Sequence, residues 1–79
     1  MENIFERIKE DKALADSLDM AFALQELAKS QQPVPRDMPK ELYITYFKGN
    51  RYSLEPFDVG SQWLLTVPGH GFAILEEAN

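Results

Sequence analysis

"LYITYFKGNRYSLEPF", residues 42–57, reads as a β-hairpin with large side chains on both of its faces. β-Branched and aromatic residues fill its arms, and Gly49-Asn50 is a two-residue link suited to a primed turn, since glycine tolerates positive φ at the first central position. This reading sets Lys48 opposite Arg51. Side chains alternate along a strand, and directly opposed residues share a face. Tyr43, Thr45, Phe47, Tyr52 and Leu54 therefore fall on one side, with Leu42, Ile44, Tyr46, Ser53 and Glu55 on the other. A small domain needs one apolar sheet face for its core, so something must cover the second.

Downstream, "QWLLTV" (62–67) and "FAILE" (72–76) continue the β pattern. "PFDVGS" (56–61) is a turn or bulged corner, and "PGHG" (68–71), with one proline and two glycines, is a connection and not a strand. Closing "PGHG" as a four-residue loop pairs Val67 with Phe72. Trp63, Leu65, Val67, Phe72 and Ile74 then share a side, and Leu64, Thr66, Ala73 and Leu75 take the other. The Trp63 side, continuous with Phe47, Tyr52 and Leu54, is the more uniformly apolar and is assigned to the core. The second face bears Leu42, Ile44, Tyr46, Leu64 and Leu75, diluted by Ser53, Glu55 and Thr66. A cluster of this kind approaches the roughly 300–600 Å² patch that marks an interaction site, so these five leucine, isoleucine and tyrosine positions are the candidate partner-binding residues.

Upstream, residues 3–29 contain neither glycine nor proline and are rich in Ala, Leu, Glu and Lys, a helical composition. Asn3 can cap the first turn and Glu6 can reach back to it. Ile4, Phe5 and Ile8 form an apolar stripe. One helix is favoured here, with a kink or break in the polar run "KEDK" (9–12), where Asp11 offers a second start. Leu14, Leu18, Met20, Phe22, Leu24 and Leu27 spread over roughly 200° of the helical wheel, wider than the stripe of about 100° expected of a surface helix. "SQQPVPRDMPKE" (30–41) holds three of the five prolines and reads as an extended, stiff linker. Val34, Met38 and the Ile4/Phe5/Ile8 segment are available to fold back over exposed apolar surface. The expected fold is a single α+β domain over 1–79: an N-terminal helical region (3–29), a proline-rich linker (30–41) and a four-stranded antiparallel meander (42–77).

The bulk composition narrows the function. A chain of 79 residues buries only about 60% of the surface its unfolded form exposes. It has no cysteine, so neither disulfides nor thiolate metal sites supplement the core. One histidine and no calcium-type loop leave no metal ligand set, and no glycine-rich phosphate-binding spacing supports a nucleotide, so no cofactor is expected. Thirteen acidic against eight basic residues, a net charge of −5, disfavour nucleic acid. Tyr43, Tyr46, Phe47, Tyr52 and Trp63 could stack unpaired bases, but only Lys40, Lys48 and Arg51 accompany them. No run long and apolar enough to span a bilayer is present, and with the cysteine-free composition this points to the cytoplasm.

The leading expectation is a non-enzymatic protein-binding module, an accessory, adaptor or inhibitor, with a homodimer as the favoured assembly. An enzyme using His70 of the "PGHG" loop with a carboxylate such as Asp58, near Ser61, is the alternative. A single-strand binder using the sheet aromatics comes third.

Overall fold

The computed structural model describes residues 3–57 and 61–78. Its elements are α1 (Ile4–Glu10), α2 (Leu18–Ser30), β1 (Tyr43–Phe47), β2 (Asn50–Phe57), β3 (Gln62–Val67) and β4 (Gly71–Glu76). The strands form one antiparallel sheet in the order β1-β2-β3-β4, the expected meander, and α2 packs across one of its faces.

The helical region breaks in two within "KEDK", as one of the two readings had it, and the break runs on to residue 17. Asn3 caps α1 by accepting from the Phe5 N–H at 2.8 Å. α1 ends at Glu10, and residues 11–17 are non-helical, with Ala13 and Asp16 in left-handed conformation at φ 55° and 59°. The second start is Ser17, not Asp11: its hydroxyl accepts from the Met20 N–H at 3.1 Å. A tertiary bond explains the break. The buried Thr45 hydroxyl on β1 accepts from the Ser17 N–H (2.8 Å) and donates to the Ser17 carbonyl (3.0 Å), so the chain is captured by the sheet where a continuous helix would have bonded to itself.

Met20, Ala21, Ala23, Leu24 and Leu27 line the buried side of α2. They join Tyr43, Tyr52, Leu54, Trp63, Leu65, Val67 and Leu75 from the sheet, Phe5 and Ile8 from α1, and Val34 and Met38 from the linker in one core cluster. The fold-back of α1 and the linker thus serves the face that α2 already covers. The arm also seals part of one sheet edge. Val34 donates to the Glu76 carbonyl at 2.8 Å and accepts from the Ala78 N–H at 2.7 Å, a parallel bridge against the end of β4. Lys40 holds the same corner, with its ammonium bonded to the Glu77 carboxylate and 5.1 Å from the centre of the Trp63 ring. The buried Trp63 indole N–H adds a weaker pull on Glu77 without reaching hydrogen-bonding geometry.

Both hairpin turns depart from expectation. The first uses Lys48 and Gly49, both at positive φ (52° and 77°), and pairs Phe47 with Asn50 in place of Lys48 with Arg51. This is a type I′ geometry, which matches the twist of the strands. Pro56 explains the preference. In the observed register the N–H and C=O of even-numbered β2 residues turn toward β1, so the missing proline donor falls beyond the end of that strand. With the turn at 49–50, Pro56 would face β3 and break the ladder. Pairings shift by two positions, so every hairpin residue keeps its expected face. The second turn is shorter than expected. The His70 N–H donates to the Val67 carbonyl at 2.9 Å across Pro68 and Gly69, with Gly69 at φ 88°, and Val67 pairs with Gly71 in place of Phe72. That slip of one residue exchanges the faces of β4.

Two measurements check this account. Thr45→Val removes both bonds to Ser17 while keeping the shape of the side chain, and should cost about 1–3 kcal/mol by denaturant titration. For Glu77, the Lys40 hydrogen bond is the main cause holding its carboxyl below the ordinary 4.5. A depressed carboxyl stabilises the fold above that ordinary value and loses its contribution as pH falls through the folded value. The melting-temperature gap between the wild type and Glu77→Gln should therefore be present at pH 7 and shrink below about pH 4.5.

Candidate functional site

The outer face of the sheet, opposite α2, is built from alternate residues of each strand. β1 contributes Ile44 and Tyr46, with Leu42 just before it. β2 contributes Arg51, Ser53, Glu55 and Phe57; β3 contributes Gln62, Leu64 and Thr66; β4 contributes Phe72, Ile74 and Glu76. The registers align these in rows: Tyr46 with Arg51; Ile44, Ser53, Thr66 and Phe72; Glu55, Leu64 and Ile74; Phe57, Gln62 and Glu76. At about 4.8 Å between strands the four-stranded face is roughly 14 Å across.

Two apolar lobes flank a polar stripe. Leu42, Ile44 and Tyr46 form the lobe at the β1 edge, with Leu42 and Tyr46 about two-fifths exposed (41% and 39%). Leu64, Phe72 and Ile74 form the other, where Phe72 is 76% and Ile74 44% exposed. Arg51, Ser53 and Glu55 run between them along β2. Ser53 is buried by its neighbours, and its hydroxyl accepts from the Arg51 guanidinium at 3.4 Å. At the far row the Gln62 amide donates to the Glu76 carboxylate at 2.9 Å.

Four of the five residues chosen from sequence, Leu42, Ile44, Tyr46 and Leu64, belong to this face. Leu75 does not: it is buried in the core opposite Trp63. Phe72 and Ile74, expected in the core, are the two side chains that replace it outside. The cause is the Pro68–Gly69 turn, and Pro-Gly followed by one residue was the signal in the sequence that a shorter loop would close there.

The other candidates are placed as follows. Tyr43, Tyr52 and Trp63 are core residues and offer no ring to an unpaired base, a correction to the stacking-platform reading. Phe47 packs against Phe22 with ring centres 5.7 Å apart. His70 is exposed at the β3–β4 turn. Asp58, its suggested carboxylate partner, lies outside the described residues. Among the described residues no three His, Cys, Asp or Glu side chains stand together as a metal site, and no helix is long and apolar enough to cross a membrane. Comparison with protein-family models, curated proteins and solved structures gives no match.

The face assignment is open to a direct check. Leu75→Ala should cost about 2–5 kcal/mol, as for a buried leucine, whereas Phe72→Ser should change stability by no more than about 0.5 kcal/mol. Urea denaturation of the two variants separates these outcomes, and the opposite order would restore the four-residue loop.

Proposed function

We propose that the chain is a non-enzymatic protein-binding module that engages another protein through the outer face of its sheet. The observation that carries this reading is the exposure of Phe72 and Ile74 on a regular strand beside Leu64, across the Arg51–Glu55 stripe from the β1 lobe. Rigid strands hold such side chains at low entropic cost, and an aromatic anchor beside hydrogen-bonding groups is the composition of an interface core. Arg51 and Glu55 supply those groups, and a partner that satisfies both would gain orientation as well as apolar contact. The module acts as an accessory, adaptor or inhibitor, in a cytoplasmic setting suited to its cysteine-free composition. His70 carries less of the argument, since a general base needs an orienting group and a substrate cleft beside it.

The test is affinity capture from the native cell with three baits. Wild type and His70→Ala should retain the same protein in stoichiometric amount. Phe72→Ser with Ile74→Ser should lose it while melting as the wild type does. Equal capture by all three baits would remove the outer face from consideration, and selective loss with His70→Ala would favour the enzyme reading.

A further inference from the structure

The sheet's two edges differ in kind. At the β4 edge Val34 bonds to Glu76 and Ala78, and its neighbours Pro33 and Pro35 point their nitrogens away from the sheet. Neither nitrogen carries a proton, so the arm offers no outward N–H to a further strand there. β1 has no such protection. Tyr43–Phe47 contains no charge, no proline and no bulge, and β2 is its strand neighbour on one side only. With a two-residue turn closed by Phe47 and Asn50, the N–H and C=O of Tyr43, Thr45 and Phe47 turn to β2, and those of Ile44 and Tyr46 turn outward. Natural edge strands are normally blunted; a bare one rich in aromatic and β-branched residues is a template for another strand.

We infer that β1 pairs antiparallel with β1 of a second copy, about a two-fold axis at Thr45, to give a continuous eight-stranded sheet. An isologous contact requires a self-complementary segment. In this register Ile44 and Tyr46 of one copy exchange backbone hydrogen bonds with Tyr46 and Ile44 of the other, which answers all four outward groups on each strand. Directly opposed residues share a face, so both cores and both α2 helices lie on the same side.

Side-chain chemistry favours the same arrangement. Lys48 follows one end of β1, and Leu42, beside Glu41 and in line with Glu55, precedes the other. Reversal about Thr45 brings Lys48 of one copy toward Leu42 of the second and the Glu55 in line with it, Glu41 already being paired with Lys12. In the helix layer, Ser17 is hydrogen-bonded to Thr45, the residue on the axis, so Leu14 and Leu18 from the two copies meet there. Both are about half exposed in the single chain (50% and 48%) and stand outside its core cluster. The pairing therefore accounts for exposed apolar side chains in both layers, next to an edge that no arm crosses.

The inference shares with the proposed function the premise that protein covers the apolar surface, but it uses the edge and the helix layer instead of the β4 lobe. Sedimentation of the full chain, with amide hydrogen exchange, tests it. Wild type should sediment at twice 9.1 kDa, with Ile44 and Tyr46 amides protected. Leu14→Glu with Leu18→Glu should halve the mass and speed exchange at those two amides by at least about tenfold. Tyr52 and Leu54 amides should stay protected, showing that the fold persists. Phe72→Ser with Ile74→Ser should remain dimeric. A wild type of 9.1 kDa at high micromolar concentration overturns the inference. So does a dimer whose Ile44 and Tyr46 amides exchange freely. If that dimer is lost with Phe72→Ser and Ile74→Ser, the outer face is the contact and the proposed function stands alone. Protection of the two amides only on addition of a captured partner assigns the edge to a foreign strand.

Discussion

The parity of the sheet governs this structure. Side chains alternate with a period of two, so the length of each turn decides whether a strand offers its apolar set to the helices or to the outside. The Pro68–Gly69 turn is the decisive case. By pairing Val67 with Gly71 it sets Ala73 and Leu75 opposite Leu65 and Trp63 in the core. The same step sends Phe72 and Ile74 to the far side, where no described segment covers them.

Parity also separates what the sequence reveals from what it hides. The hairpin over 42–57 was legible in its faces even though its turn sits one residue earlier than expected, because a two-position change in pairing preserves the alternation. β4 was not legible, because a loop shortened by one residue reverses it and "FAILE" is apolar on both sides. The break between α1 and α2 was legible at its start, in the polar run "KEDK", but not in its extent to Ser17. Ala13, Leu14 and Ala15 are good helix formers, and the break rests on a hydroxyl from Thr45, distant in sequence. That pair of hydrogen bonds, with the Ser17 cap, offsets the strain of left-handed Ala13 and Asp16. Four of the five outer-face residues were found on the hairpin and β3, and the error fell where the turn was misjudged.

The core explains why a face remains uncovered. α1, α2 and the Val34–Met38 arm all converge on the Trp63 side, where Phe5, Ile8, Val34 and Met38 complete one cluster. Among the described residues no further element lies on the opposite side. Hydrophobic burial scales with area, so a single well-filled layer is a better use of a short sequence than two thin ones. The outer face is then free to be selected for something other than folding. Its organisation, with Arg51, Ser53 and Glu55 dividing two apolar lobes, differs from a surface left greasy by neglect, in which polar groups would be scattered.

Edge pairing raises a separate physical question, since an open strand invites unlimited assembly as readily as a closed pair. What limits growth is the asymmetry between the edges. A two-fold axis at Thr45 uses the β1 edge of both copies and leaves a β4 edge at each end of the enlarged sheet. There the proline-flanked arm occupies the Glu76 carbonyl and the Ala78 N–H, while Phe72 and Ile74 keep outward backbone groups. A further strand would have to fit there between the Gly71 turn and the arm. Growth of the proposed pair beyond two copies is therefore confined to that short stretch. The doubled sheet also sets two outer faces side by side, joined through Ile44 and Tyr46, and a partner that spans the axis gains from both at once. In this proposed arrangement the edge joins the two copies and the face meets the partner.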